Sequence, residues 1–208
     1  MDRPILPAFL ALALQGILLA GPPTPAGLRL GAFYDGMDVE HHWLKGKHID
    51  WRTGDPDTGK DGKTHCSRFV ASACERLGIE ILRPPEHGQK NLANAQFDWL
   101  ASAGTTYGWS AVASPYEAQR LANEGQAVAV VFQNPNRRKS GHIALVRPSD
   151  KADTLVQTEG PEIIQAGGTN HASTSVQVGF RRHRGAWVNG ERHQVRFYAH
   201  PSPRIPGQ

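Results

Sequence analysis

The chain has 208 residues, 39% of them hydrophobic and 20% charged, with 23 Lys and Arg against 19 Asp and Glu. That length suits one well-packed domain and excludes two of comfortable size. The net charge of +4 and a pI near 9.3 suit an acidic polymer as partner, either nucleic acid or a carboxylate-bearing cell wall, and equally a merely solvated surface.

Residues 1–26 read as an export signal: Arg3 is the basic start, "ILPAFLALALQGILLA" the apolar run, and "TPA" before Gly27 a small-residue cleavage site. The run is too short and interrupted for a membrane span, and no later stretch reaches 18 consecutive apolar residues. Residues 27–208 are then a single exported domain. Residues 27–62 are rich in Gly, Asp and Lys and read as an irregular lead-in, with "HHWLKGKHIDW" the part expected to pack.

In "KTHCSRFVASACERLG", Cys66, Phe69, Val70, Ala73, Cys74 and Leu77 recur at spacings of three and four, which predicts an amphipathic helix. Thr64 is the expected N-cap and Gly78 the stop. Two prolines in "RPPEHG" break the chain, and "NLANAQFDWLASAG" predicts a second helix ending at Gly104. A third is marked by Ser114 as N-cap, Pro115 at the first position, Glu117 completing a capping box, and Gly125. The period then changes. "AVAVVFQ" and "HIALVRP" read as strands about the loop "NPNRRKSG", followed by "TLVQT", "PEIIQAG", "VQVGFR" and "VRFYAH". Helices first and strands afterwards predict an α+β fold, with N-terminal helices packed on a mostly antiparallel sheet.

The two cysteines are the informative residues. Eight positions apart on one helix, they are separated by about 12 Å at 1.5 Å per residue, beyond the roughly 7 Å a disulfide tolerates. Cys66 is then a free thiol in the first turn, where unpaired N–H groups and the helix dipole favour a thiolate; its other reading is a small buried hydrophobe. A thiol nucleophile needs a base, and the base needs an orienting group. Among ten histidines His142 is best placed: it follows Ser140-Gly141 and opens an apolar strand.

"HCSRFVASACERLGI", "SGHIALV" and "IIQAG" together resemble the NlpC-type and CHAP cell-wall peptidases, over roughly residues 64–180. The same layout resembles, more loosely, the amidase effectors delivered by type VI secretion. The resemblance implies a papain-like core and hydrolysis of amide bonds in peptidoglycan, with Cys66 as nucleophile, His142 as base and a polar third residue on the next strand. Gln165 fills the place where relatives have "IHA". Glu159 takes that role if the hairpin turns symmetrically about "SDKAD", and Asn170 is a further candidate. The chain departs from the pattern in carrying His65 where an aspartate is usual, and in the fifty or so residues between the Cys66 helix and the first strand. A neutral amide at Gln165 would orient the imidazole as asparagine does in papain-like proteases.

Other signals are weaker. His41, His42 and His48 match no zinc spacing, and no phosphate-binding glycine loop is present. The five tryptophans read as core more readily than as a glycan groove. The expectation is an exported, periplasmic or extracellular cysteine amidohydrolase that needs no cofactor. Its partner is peptidoglycan or its peptide fragments rather than nucleic acid, with an inhibitor or immunity protein as a further partner. The competing expectations are a non-catalytic wall-binding module and an acyl-transferring transamidase.

Overall fold

The computed structural model describes residues 19–59, 64–88, 90–201 and 204–205. Most of the expected leader, residues 1–18, lies outside them. The fold is α+β, built on one six-stranded sheet whose neighbouring strands all run antiparallel. In chain order the strands are β1 (Ser110–Val112), β2 (Ala127–Phe132), β3 (His142–Val146), β4 (Glu162–Gln165), β5 (His171–Ser175) and, after a small hairpin of β6 (Trp187–Asn189) and β7 (Arg192–His193), β8 (Arg196–His200). Their order across the sheet is β1-β8-β2-β3-β4-β5.

The helices are α1 (Pro25–Gly36), α2 (Cys66–Arg76), α3 (Leu92–Ala101), α4 (Pro115–Asn123), α5 (Asp153–Glu159) and the single turn α6 (Val176–Gly179). They cover both faces of the sheet, which explains why "AVAVVF" is apolar without alternation. Ala127, Ala129 and Val131 face the core shared with α1, α2 and α3, while Val128, Val130 and Phe132 face the core shared with α4 and α6. Both sets are buried, so each side chain leaves water whichever way it points. Among the described residues no helix is long and apolar enough to cross a membrane.

Helix α4 forms as its sequence requires: the Ser114 hydroxyl accepts from the Glu117 N–H at 3.1 Å, Pro115 opens the helix, and Gly125 closes it at φ +89°. Glu117 reaches back one residue further than a capping box needs, to the N–H of Ala113. Helix α2 differs from expectation at its start. His65, not Thr64, is the N-cap, and it makes no side-chain cap bond. Its buried ring instead bonds the Lys47 carbonyl at 2.9 Å. Gly78 does end this helix, at φ +68°, where the Ile79 N–H bonds the Cys74 carbonyl.

Three other expectations give way. The lead-in contains α1, capped by the Thr24 hydroxyl at the Gly27 N–H. The proposed cleavage point before Gly27 therefore falls in the first turn of a helix, and Thr24 is tied to the Asn123 carbonyl. "TLVQT" belongs to α5 and "VQVG" to α6, not to strands; Ser175 caps the latter at the Val178 N–H. The strand beside β4 is "HASTS", a polar edge strand without an apolar pattern.

Candidate active site

Cys66 and His142 both stand at the start of β3 but toward different faces of the sheet: Cys66 belongs to the core shared with α2, whereas His142 pairs with Phe132 and packs on Phe180 and His183 on the α4 and α6 side. Helix α2 packs against β3, and Cys66 is its first residue. The N–H groups in the first turn of any helix lack intrahelical acceptors, and here those of Cys66 and Ser67, with the N–H of Ile143, lie where they favour a negative sulfur. Those donors favour a thiolate, but burial pushes the thiol's pKa up by more than they pull it down. Position at a helix N-terminus thus fails to give the acidic thiol expected from sequence, because the same packing that places Cys66 also strips it of water. Cys66 is 6% exposed, enough to border a cleft of about 270 Å³. Its other walls are residues 90–93 at the entry to α3 and Arg138, Ser140 and Gly141.

His142, first residue of β3, is buried and donates from Nε2 to Gln165 Oε1 at 2.5 Å. The amide of Gln165 is held in that sense because its Nε2 donates to the Thr169 carbonyl at 3.1 Å. Nε2 of His142 therefore carries the hydrogen, and Nδ1 holds the basic lone pair. Phe180 stands edge-on to the imidazole with centroids 4.6 Å apart, and His183 stacks on it at 5.3 Å and 14°. Burial lowers the His142 pKa to about 4, against the smaller opposing effect of the Gln165 bond. Both shifts favour the uncharged forms, thiol and neutral imidazole.

Gly141 is required by close packing. A Cβ there would lie 2.2 Å from the Phe132 carbonyl oxygen and 2.5 Å from Asn94 Oδ1. Asn94 also ties the 134–140 loop to α3, accepting from the Asn134 N–H and donating to the Lys139 carbonyl. Gly179 is similar: a Cβ there would press on Gln165 Oε1 at 3.1 Å.

The three candidates for the orienting residue separate cleanly. Gln165 meets His142. Glu159 lies in α5 rather than in a strand opposite β3, and pairs with Lys151 at 3.2 Å. Asn170 buttresses the turn after β4, accepting from the Gly167 N–H and donating to the Val39 and His42 carbonyls. Among the described residues no hydrogen bond joins Cys66 to His142. The thiol's contact with β3 is through Ile143, the next residue. Catalytic hydrogen bonds are often long in unliganded sites and tighten around substrate.

His41, His42 and His48 do not converge: each ring bonds its own aspartate, Asp38, Asp55 and Asp57 respectively. Among the described residues no three metal-ligating side chains gather. Trp43 and Trp109 are core residues, and no tryptophan lines the cleft. Sequence reasoning missed Phe180 and His183. The only signal for His183 was its place in the basic run "RRHRG". Compared with known proteins, the chain matches no family model and no curated relative.

Proposed function

We propose that the protein is an exported cysteine amidohydrolase acting on amide bonds in peptidoglycan peptides, on a papain-like core. The observation that carries this reading is the His142–Gln165 bond at the strand start against which the Cys66 helix terminus packs. In the reaction His142 Nδ1 takes the Cys66 proton as the sulfur attacks the carbonyl carbon. The tetrahedral oxyanion is met by backbone N–H groups at the α2 terminus. His142 then returns the proton to the leaving nitrogen, the C–N bond breaks, and water, deprotonated by His142, hydrolyses the thioester. Gln165 keeps the imidazole in the tautomer that leaves Nδ1 basic and aligned. A transamidase would differ only in the last step, with an amine in place of water. No cofactor enters these steps.

The test is digestion of purified peptidoglycan by wild type and Cys66→Ala, with fragments identified by mass spectrometry. New amino and carboxyl termini from wild type alone are the expected result. Equal digestion by both proteins, or by neither, overturns the proposal. One observation favours the second reading, a wall-binding module: the thiol and imidazole are both neutral and not bonded to each other. A module of that kind binds peptidoglycan without releasing fragments.

A further inference from the structure

A second cavity, of about 370 Å³, lies across the 134–140 loop from the Cys66 cleft. Its walls include Phe132, Lys139, Arg182, His183 and Arg184 and, among the described residues, no aspartate or glutamate. Arg182, Arg184 and Lys139 have no acidic partner among the described residues, although the chain pairs many of its other arginines, as Arg137 with Asp98 and Arg147 with Asp35. Three cationic residues lining one groove without a counter-charge repel one another, and an anion relieves that repulsion.

The groove adjoins the imidazole side of the site. His183 stacks on His142, and Phe132 is the residue paired with His142 across the β2–β3 ladder. In the proposed reaction His142 hands its proton to the leaving nitrogen, so the leaving half of the substrate lies on the His142 side. We propose that this groove is an anion subsite that takes a free carboxylate on the leaving-group side of the cleaved amide. The guanidinium group of Arg184 suits this ligand, since its planar donor fork matches a carboxylate, and that of Arg182, which lies against Gly168, adds positive charge at the groove's margin. Lys139 is carried on the loop that Asn94 fixes to α3, so the groove's two sides come from separate elements. The assignment to the leaving group rests on the hydrolase reading; the anion site itself does not.

The test uses the inactive Cys66→Ala protein and two wall-type peptides, acetyl-alanyl-γ-isoglutaminyl-lysyl-alanine with a C-terminal carboxylate or a C-terminal carboxamide. Calorimetric titration should show the carboxylate peptide binding about tenfold more tightly, the size of one good charge-assisted contact. Adding Arg182→Ala and Arg184→Ala should erase the ratio by weakening the carboxylate peptide alone. Adding Arg29→Ala and Lys45→Ala, which removes the same charge from residues lining neither cavity, should leave the ratio intact. Equal affinities, no binding of either peptide, or a ratio that survives loss of both arginines overturns the anion site. Failure of the hydrolase reading looks different: wild type releases no fragments while Cys66→Ala still discriminates between the peptides.

Discussion

The Cys66 thiol and the His142 imidazole have opposite hydrogen-bonding surroundings. Cys66 is surrounded by donors, the N–H groups of Ile143, Ser67 and its own backbone, all of which suit a negative sulfur. His142 is surrounded by one acceptor and two aromatic rings, an environment that holds its Nε2 hydrogen in place. Burial opposes charge on both and prevails on both. The donors around Cys66 are therefore not sufficient to ionise it at rest. In the proposed reaction they would lie where negative charge develops, on sulfur and then on the carbonyl oxygen, and fixed dipoles there lower a barrier.

The largest effects should follow from removing either partner of this comparison. Cys66→Ala should lower the rate of peptidoglycan hydrolysis by about a thousandfold or more, and His142→Ala by a similar factor, since the members of such a unit are lost together. Cys74, on the same helix, is fully buried, and burial pushes its thiol up to about 12. Cys74→Ala should keep full activity and cost about 1 kcal/mol of stability by thermal unfolding, as a small core truncation does. Comparable activity losses at both cysteines would mean that the cleft at Cys66 has no special role.

The pH profile distinguishes a neutral pair from an ionised one. If His142 acts as a neutral base, activity rises with pH through the His142 pKa of about 4. It falls again only where Cys66 ionises without passing its proton to the imidazole, above the ordinary thiol range. A preformed thiolate–imidazolium couple reverses the assignment: the thiol governs the acid limb and the imidazolium the alkaline limb. Iodoacetamide alkylation against pH decides between them. With a neutral pair, Cys66 alkylation tracks the raised thiol pKa and His142→Ala leaves it where it was. An upward shift in the mutant would show that the couple is ionised.

At the orienting residue the expected losses are smaller. Gln165→Ala should slow turnover by about ten- to a hundredfold without abolishing it, because nucleophile and base remain. Gln165→Glu tests the electrostatics separately. A carboxylate facing His142 Nε2 favours the imidazolium, so the acid limb should move to higher pH. Glu159→Ala should leave kcat within about twofold, since an ion pair at the protein surface contributes little. A larger loss there than at Gln165 would transfer the orienting role away from the residue bonded to His142.

Much of this site was legible in the sequence because its parts lie on strongly patterned elements. Cys66 opens a helix with a clear apolar face, His142 opens a strand buried on both sides, and Gln165 ends the strand next to it. What was misread has little pattern of its own. "TLVQT" is rich in β-branched residues yet forms a short helix in which Val156 alone is buried, so packing of its neighbours outweighs propensity. "HASTS" pairs at a sheet edge and needs no apolar alternation. The thiol's raised pKa was hidden for a related reason: the helix terminus can be read from spacing, but the depth of burial around it depends on the whole fold. His183 reaches His142 only because α6 turns the chain back over the sheet's second face.

At His183 the expected effect is on the pH profile and not on the maximal rate, and it tests how burial sets the His142 pKa. His183 covers one face of the His142 ring, and its own pKa is lowered to about 4, by burial first and then by the nearby His142 charge. His183→Ala admits water to the His142–Gln165 bond and removes a like charge. Both changes favour the imidazolium, so the acid limb of activity should move from about pH 4 toward the ordinary histidine range. His183→Phe keeps the cover and removes only the titrating group, so its shift should be smaller. Stability moves with the same linkage. Folded His142 and His183 resist protonation, whereas the unfolded chain binds those protons at the ordinary histidine pKa. Between that value and about pH 4 the unfolded state therefore binds more protons, and stability falls as pH falls. Removing His183 should make this acid-side loss shallower in thermal unfolding measured from pH 7 to pH 4. If the alanine and phenylalanine variants shift the acid limb equally, the charge of His183 and not its cover is what tunes His142. If neither shifts it, the stacked ring plays no part in setting the base.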